Sequence, residues 1–137
     1  MAPASDDTQY ADLLAVSRRH REDHGCGAYP YDKGALLRGL AAGLAPARIV
    51  EVGTAIGYTS TCMADAAPGA RIDTIDFDPA HTELATANFD QYGVGDRVTT
   101  HCGDADDVLP TLEGGATTWL SSTALPRPRR SSARYAA

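Results

Sequence analysis

Three short apolar runs with similar punctuation constrain this chain most: Arg48-Ile49-Val50-Glu51-Val52, Ala70-Arg71-Ile72-Asp73-Thr74-Ile75-Asp76 and Asp96-Arg97-Val98-Thr99-Thr100-His101-Cys102. Rich in β-branched residues, each reads as a strand. The first stops at Gly53, the second at Asp76 and the third at Gly103. Helical stretches separate them, from Tyr58 to Ala66 and from Asp78 to about Tyr92. Asp78-Pro79 is a helix-opening pair, with the acid as N-cap and proline in the first helical position. A last short helix, capped by Asp104 or Asp106, ends near Leu112. Strands alternating with helices demand parallel pairing and crossover connections. The expected fold class is therefore α/β, one half of a doubly wound sheet.

Two further helices precede the first strand. Residues 8–24 put Tyr10, Leu13, Leu14 and Ser17 on one side and stop at Gly25-Cys26-Gly27. A second helix is expected from Asp32, its N-cap, to Gly43, with Leu36, Leu37, Leu40 and Leu44 as its apolar positions. Residues 1–116 thus read as two leading helices followed by βαβαβα, with strand one lacking a partner on its far side. Residues 117–137 differ: they are rich in Ser, Arg, Pro and Ala and keep no apolar period after Leu120.

Charge divides the chain at the same place. Residues 1–116 hold all 18 acids and 8 of the 12 Lys and Arg, whereas 117–137 hold four arginines and no acid. An acidic body disfavours nucleic acid as a partner, and the basic tail lacks interleaved aromatics. No apolar run nears the roughly 20 residues that cross a bilayer, so no membrane span is expected. The segment 1–7 has no basic stretch leading into an apolar one, which argues against a secretory signal. The three widely spaced cysteines, Cys26, Cys62 and Cys102, read as reduced thiols, and a cytoplasmic location follows.

The candidate site lies at the strand ends. Glu51-Val52-Gly53-Thr54-Ala55-Ile56-Gly57-Tyr58-Thr59-Ser60 takes a strand through glycine directly into a helix, bringing bare backbone and helix N-terminal amides to a ligand. The same pattern also fits a plain tight turn. Glu51 suits a cationic or donor-rich ligand rather than a phosphate, and the G-x-x-x-G spacing is not the G-x-G-x-x-G of dinucleotide binders. Asp76, on the neighbouring strand, is placed to accept both hydroxyls of a ribose; alternatively it is a solvated strand-end acid. Gly103-Asp104-Ala105 ends the third strand, where Asp104 either reads an adenine amine or simply caps a helix.

Taken together, these tips resemble the class I S-adenosylmethionine-dependent methyltransferases, and within them the catechol O-methyltransferase-like family. The resemblance runs from about Tyr29 to Leu112 and includes Lys33-Gly34, Arg48 to Thr59, Pro68-Gly69-Ala70-Arg71, Asp76-Phe77-Asp78-Pro79, Gly103-Asp104-Ala105 and Val108-Leu109-Pro110. It implies a Rossmann-like methyltransferase fold of which this chain carries the N-terminal half, with an incomplete parallel sheet. It also implies that Glu51 holds the methionine ammonium and the Gly53-Thr54 backbone the methionyl part. Thr59 would bind its carboxylate, Asp76 the ribose, and Asp104 and Ala105, beside Gly103, the adenine. Tyr29 falls where the family makes a backbone contact from its N-terminal segment. The implied reaction is methyl transfer to a small hydroxylated, catechol-like acceptor, with a divalent ion, usually magnesium, on the acceptor oxygens. A homodimer is common in the family.

The family's metal ligands are expected beyond this point. Its next strand should read like Tyr-Asp-Leu followed by apolar residues and Asp-Gly, but the chain reads Thr117-Thr118-Trp119-Leu120-Ser121-Ser122-Thr123-Ala124. One choice of codons for that octet, read one base earlier, encodes Tyr-Asp-Leu-Ala-Leu-Val-Asp-Gly. A change of frame before Thr117 therefore accounts for the basic tail, and it leads one to expect weak cofactor binding and little methyl transfer. The competing functions are a non-catalytic nucleoside-binding fragment and a nicotinamide dehydrogenase fragment; Glu51 and the missing middle glycine oppose the latter.

Other polar residues read as bland. His20 and His24 share a helix face and could bind metal, but the glutamate between them is not in the H-E-x-x-H position and the pair better fits a solvated polar surface. Asp104, Asp106 and Asp107 fit first-turn helix acids, and His81 and His101 have no evident partner.

Overall fold

The computed structural model describes residues 9–26, 31–112 and, for the backbone, 117–121. Helix α1 (Ala11–His24) and helix α2 (Gly34–Leu44) lead into β1 (Arg48–Val52), α3 (Tyr58–Ala66), β2 (Arg71–Asp76), α4 (Pro79–Gln91), β3 (Val98–Cys102), the short α5 (Ala105–Val108) with a 3-10 turn at Leu109–Thr111, and β4 (Thr117–Ser121). All strands are parallel, in the order β3-β2-β1-β4. The α/β expectation and the order of the first eight elements hold. Asp78 caps α4 as expected, accepting from the backbone N–H of Ala80 at 2.9 Å, and Pro79 follows.

One expectation about the sheet is corrected. Strand β1 does not end the sheet: Thr117–Ser121 pairs with it residue for residue, from Arg48 opposite Thr117 to Val52 opposite Ser121. An open parallel edge offers a row of unpaired N–H and C=O groups. A following segment of Thr, Trp and Leu, good strand formers, satisfies them through its backbone. Residues 122–137 lie outside the described residues, as does Tyr29.

Helix α2 corrects two smaller points. Lys33, not Asp32, occupies its N-cap position, without a side-chain cap. Its leucines do not share one buried stripe: Gly34, Leu37 and Ala41 face the core, whereas Leu36, Leu40 and Leu44 are exposed. The buried three recur at three- and four-residue spacing, which is what a single helix face allows. Gly34 lets α2 and α3 approach closely, because a Cβ there would meet the hydroxyl of Tyr58 and displace its ring.

The core forms between the sheet and its helices from Leu37, Ile49, Met63, Ile72, Ala85 and Phe89. A second cluster of Leu13, Ile56, Tyr58 and Cys62 fastens α1 over α3 and the loop that precedes it. Arg97 terminates α3: its guanidinium donates to the carbonyls of Ala64, Ala67 and Ala70 at 2.8, 3.2 and 3.3 Å. A cation on those last carbonyls also complements the negative end of the helix dipole.

Candidate cofactor site

The register brings the three predicted strand tips side by side. Val52 lies opposite Ile75, and Asp76 opposite Cys102. Backbone bonds continue the alignment past the strands, with the N–H of Gly53 donating to Ile75 O and that of Gly103 to Asp76 O, each at 2.8 Å. Between β1 and α3 the chain turns through Gly53 at φ 98°, Ala55 at φ 45° and Gly57 at φ 95°. A Cβ on Gly57 would stand 2.6 Å from the Phe89 ring, so glycine is required there by both space and backbone. Asn88 of α4 braces the same loop by donating to Ile56 O at 2.8 Å.

Glu51 is the centre of the first tip. It is 1% exposed and accepts from three hydroxyls: Thr59 at 2.5 Å, Ser60 at 2.6 Å and Thr74 at 2.7 Å. Because the single hydroxyl proton of Thr74 points at Glu51, Thr54 is the donor in its 2.7 Å bond to Thr74. Thr54, Thr59 and Glu51 thus belong to one buried network. Burial pushes the Glu51 carboxyl above its ordinary range; the three hydroxyls pull the other way, and nearby Asp76 adds to the rise.

Asp76 is the centre of the second. It is 7% exposed and accepts from Ala55 N–H at 2.9 Å and Asp78 N–H at 3.0 Å, with Nδ1 of His81 at 3.2 Å. Burial alone would raise its carboxyl, but His81 and the two backbone N–H groups outweigh that and hold it below the usual range. Its hydrogen bond to Asp76 in turn raises His81 to about 9, against the desolvation that opposes it.

The third tip is simpler. Asp104 is exposed, and its side chain accepts from Asp106 N–H at 3.0 Å, so its observed contact is the helix cap. Ala105 opens α5 beside it.

All four histidines depart from expectation. His20 and His24 are more than a solvated face: His24 is exposed, but their rings stack at 4.8 Å and both meet His81, at 5.1 and 5.4 Å. His81 and His101 do have partners, Asp76 and Asp73 respectively. Sequence reasoning also missed Ser60, Thr74, Ala55 and Asn88. The first two follow once the strand and helix faces are drawn, since Thr74 pairs with Glu51 across β1 and β2. The reach of Asn88 has no local sequence signal.

Beyond the geometry, residues 50–128 match the sequence model of a methyltransferase domain. The chain belongs to that methyltransferase family. The catechol O-methyltransferase of Mycobacterium tuberculosis is 39% identical over 84 residues, which is 61% of this chain and 38% of the relative. The SAH-bound methyltransferase PaMTH1 of Podospora anserina superposes with a TM-score of 0.74 at 26% identity, covering 86% of this chain and 50% of that one. The O-methyltransferase TomG of Streptomyces achromogenes, involved in tomaymycin synthesis and solved with SAM, gives 0.69 at 28% identity over 85% and 59%. The chain therefore spans about two fifths of the catechol O-methyltransferase and half or slightly more of the two solved structures. The family match continues past Thr117, through β4. Among the described residues no helix is long and apolar enough to cross a membrane, and all three cysteines are free.

Proposed function

We propose that this chain binds S-adenosylmethionine across the tips of β1, β2 and β3, as the cofactor-binding part of an O-methyltransferase for a small hydroxylated, catechol-like acceptor. The observation that carries the reading is Asp76: a pinned, ionised carboxylate between two strand tips, with acceptor capacity to spare. A carboxylate has about four lone-pair positions, and three donors leave one open. Ribose hydroxyls need such an acceptor, and the Ala55 N–H is a donor that a loop movement can exchange for one of them.

On this reading Glu51 takes the methionine ammonium through the lone pair that its three hydroxyls leave. A bound cation would ionise a carboxyl that burial otherwise pushes up. The Gly53-Thr54 backbone lies along the methionyl chain, Thr59 meets its carboxylate, and Gly103, Asp104 and Ala105 face the adenine, with Tyr29 as a backbone contact. The family's magnesium does not fit the residues at the end of β4. Hard divalent ions select carboxylate oxygens, and residues 117–137 contain none. Methyl transfer to a catechol by this chain is therefore expected to be weak. The exposed stripe of Leu36, Leu40 and Leu44 supports a homodimer, which sedimentation would detect.

Calorimetric titration with S-adenosylhomocysteine tests the site. The expected result is 1:1 binding that weakens by about 10- to 100-fold in Asp76→Ala, the loss of one or two charge-assisted hydrogen bonds. Unchanged affinity in that variant, or a response to NAD alone, rejects the proposal. The change of frame before Thr117 is proposed for the gene and is read from the nucleotides around the Ala116 codon. A neighbouring frame without an Asp-Gly strand end rejects it.

A further inference from the structure

The histidines that the sequence scatters over α1 and α4 converge with a cysteine at one point of the fold. Donor atoms of His20, Cys26 and His81 all lie within 4.8 Å of one another, and so do those of His24, Asp78 and His81. His81 is common to both sets and is 3% exposed. Its Nδ1 is engaged by Asp76 at 3.2 Å, which turns Nε2 into the cluster. That Nε2 and the Nε2 of His20 are buried and have no hydrogen-bond partner among the described residues. A buried nitrogen without a hydrogen-bond partner is costly, and two of them in one cluster call for a common partner.

We propose that His20, Cys26 and His81 form a site for a divalent ion of the zinc class, which fastens α1 to the strand tip carrying Asp76. Two imidazoles and a thiolate select zinc over magnesium or calcium, which favour oxygen ligands. Zinc bonds of about 2.0–2.3 Å in a tetrahedron place donors roughly 3.3–3.8 Å apart, so separations within the present 4.8 Å must close by up to about 1.5 Å. Asp78 Oδ2, 3.8 Å from His81 Nε2, is within reach as a fourth ligand. Asp76 occupies the place that a carboxylate has behind many zinc-bound histidines: it takes the second ring N–H and fixes the tautomer. The ion takes the place of the Nε2 proton of His81, whose Nδ1–H stays on Asp76, and Cys26 releases its thiol proton on ligation, so two protons leave to solvent as the ion binds. This centre differs in ligands and in place from a magnesium ion on acceptor oxygens. Its consequence is local: the helix over the loop and the ribose-facing carboxylate become parts of one rigid unit.

The test uses the full 137-residue chain, reduced and freed of metal with a chelator, and needs no cofactor, so it can fail independently of the cofactor proposal. Titration with Zn2+ by calorimetry is expected to give one ion per chain. Co2+ in its place is expected to give the intense visible bands of tetrahedral cobalt and a thiolate-to-metal charge-transfer band. Cys26→Ser should remove the charge-transfer band, and both Cys26→Ser and His20→Gln should weaken Zn2+ binding by at least about 10-fold, whereas His24→Gln should cost less than that. These variants alter side chains outside the deep core and keep the test readable where His81→Ala would risk the fold. The site is rejected if the folded chain binds no Zn2+, if the charge-transfer band survives in Cys26→Ser, or if both ligand variants bind as tightly as the parent.

Discussion

The tips of β1 and β2 each carry a buried carboxylate, and the two are held in opposite ways. Glu51 is surrounded by neutral hydroxyls from Thr59, Ser60 and Thr74, and burial lifts its carboxyl. Asp76 is gripped by two backbone N–H groups and His81, which hold its carboxyl down. Both are buried, Glu51 the more deeply, and burial is the first cause of its rise. The donors decide whether that burial is overcome: at Asp76 it is, at Glu51 it is not. Hydroxyls satisfy a buried carboxylate without neutralising it, whereas an imidazole and fixed backbone dipoles stabilise its charge. The first tip is therefore suited to gaining a cation, and the second to offering a ready-made anion to hydroxyl donors.

The largest effect that tests this contrast is on stability. Glu51→Ala leaves three buried hydroxyls without their acceptor, at about 1 kcal/mol or more each, so a loss of about 3 kcal/mol is expected in urea unfolding. Glu51→Gln keeps one acceptor oxygen for Ser60 and Thr74 and offers its amide to Thr59, whose hydroxyl can turn to accept. A loss of about 1 kcal/mol or less is expected there. If the two variants lose equally, the charge of Glu51 matters and the contrast with Asp76 is wrong.

A smaller effect lies in the acid dependence of metal-free protein. The folded carboxyl of Asp76 is lowered, so its stabilisation is present above the unfolded value of 3.8 and is lost as pH falls through the folded one. That of Glu51 is raised, so its contribution is present below the unfolded value of 4.5 and is lost as pH rises through the folded one. The penalty of Asp76→Asn should therefore shrink toward acid, and that of Glu51→Gln should shrink away from it. Parallel trends in the two pH series would show that one environment governs both.

Much of this arrangement was legible in the sequence because periodicity and punctuation fix it locally. Strand runs ending at Gly53, Asp76 and Gly103 sufficed to align three tips, and Asp78-Pro79 to start α4. Two kinds of feature were not legible. Strand β4 was missed because Thr117–Ser121 lacks the apolar run of a central strand; its pairing is supplied by the open backbone edge of β1, a tertiary cause. Its β-forming residues were the available signal. The His20, His24 and His81 cluster was missed because α1 and α4 meet only after the sheet forms, and helix spacing alone made the first two look like a polar face.

The smallest effect is expected where the two tips touch. Ala55 belongs to the loop after β1, yet its N–H bonds Asp76, and it does so at φ 45°, in the left-handed region that a Cβ disfavours. Glycine there removes the steric cost, roughly 1 kcal/mol for a residue in that region, but adds conformational freedom to the unfolded chain of similar size. Ala55→Gly should therefore change unfolding free energy by less than about 1 kcal/mol while freeing the loop to exchange its bond to Asp76 for a ligand hydroxyl. Amide exchange at residue 55 should quicken, whereas the Glu51 network, which shares no bond with that N–H, should keep its protection. Faster exchange at both places would mean that the loop holds the two carboxylates as one unit, and that the difference between them depends on the turn rather than on their donors.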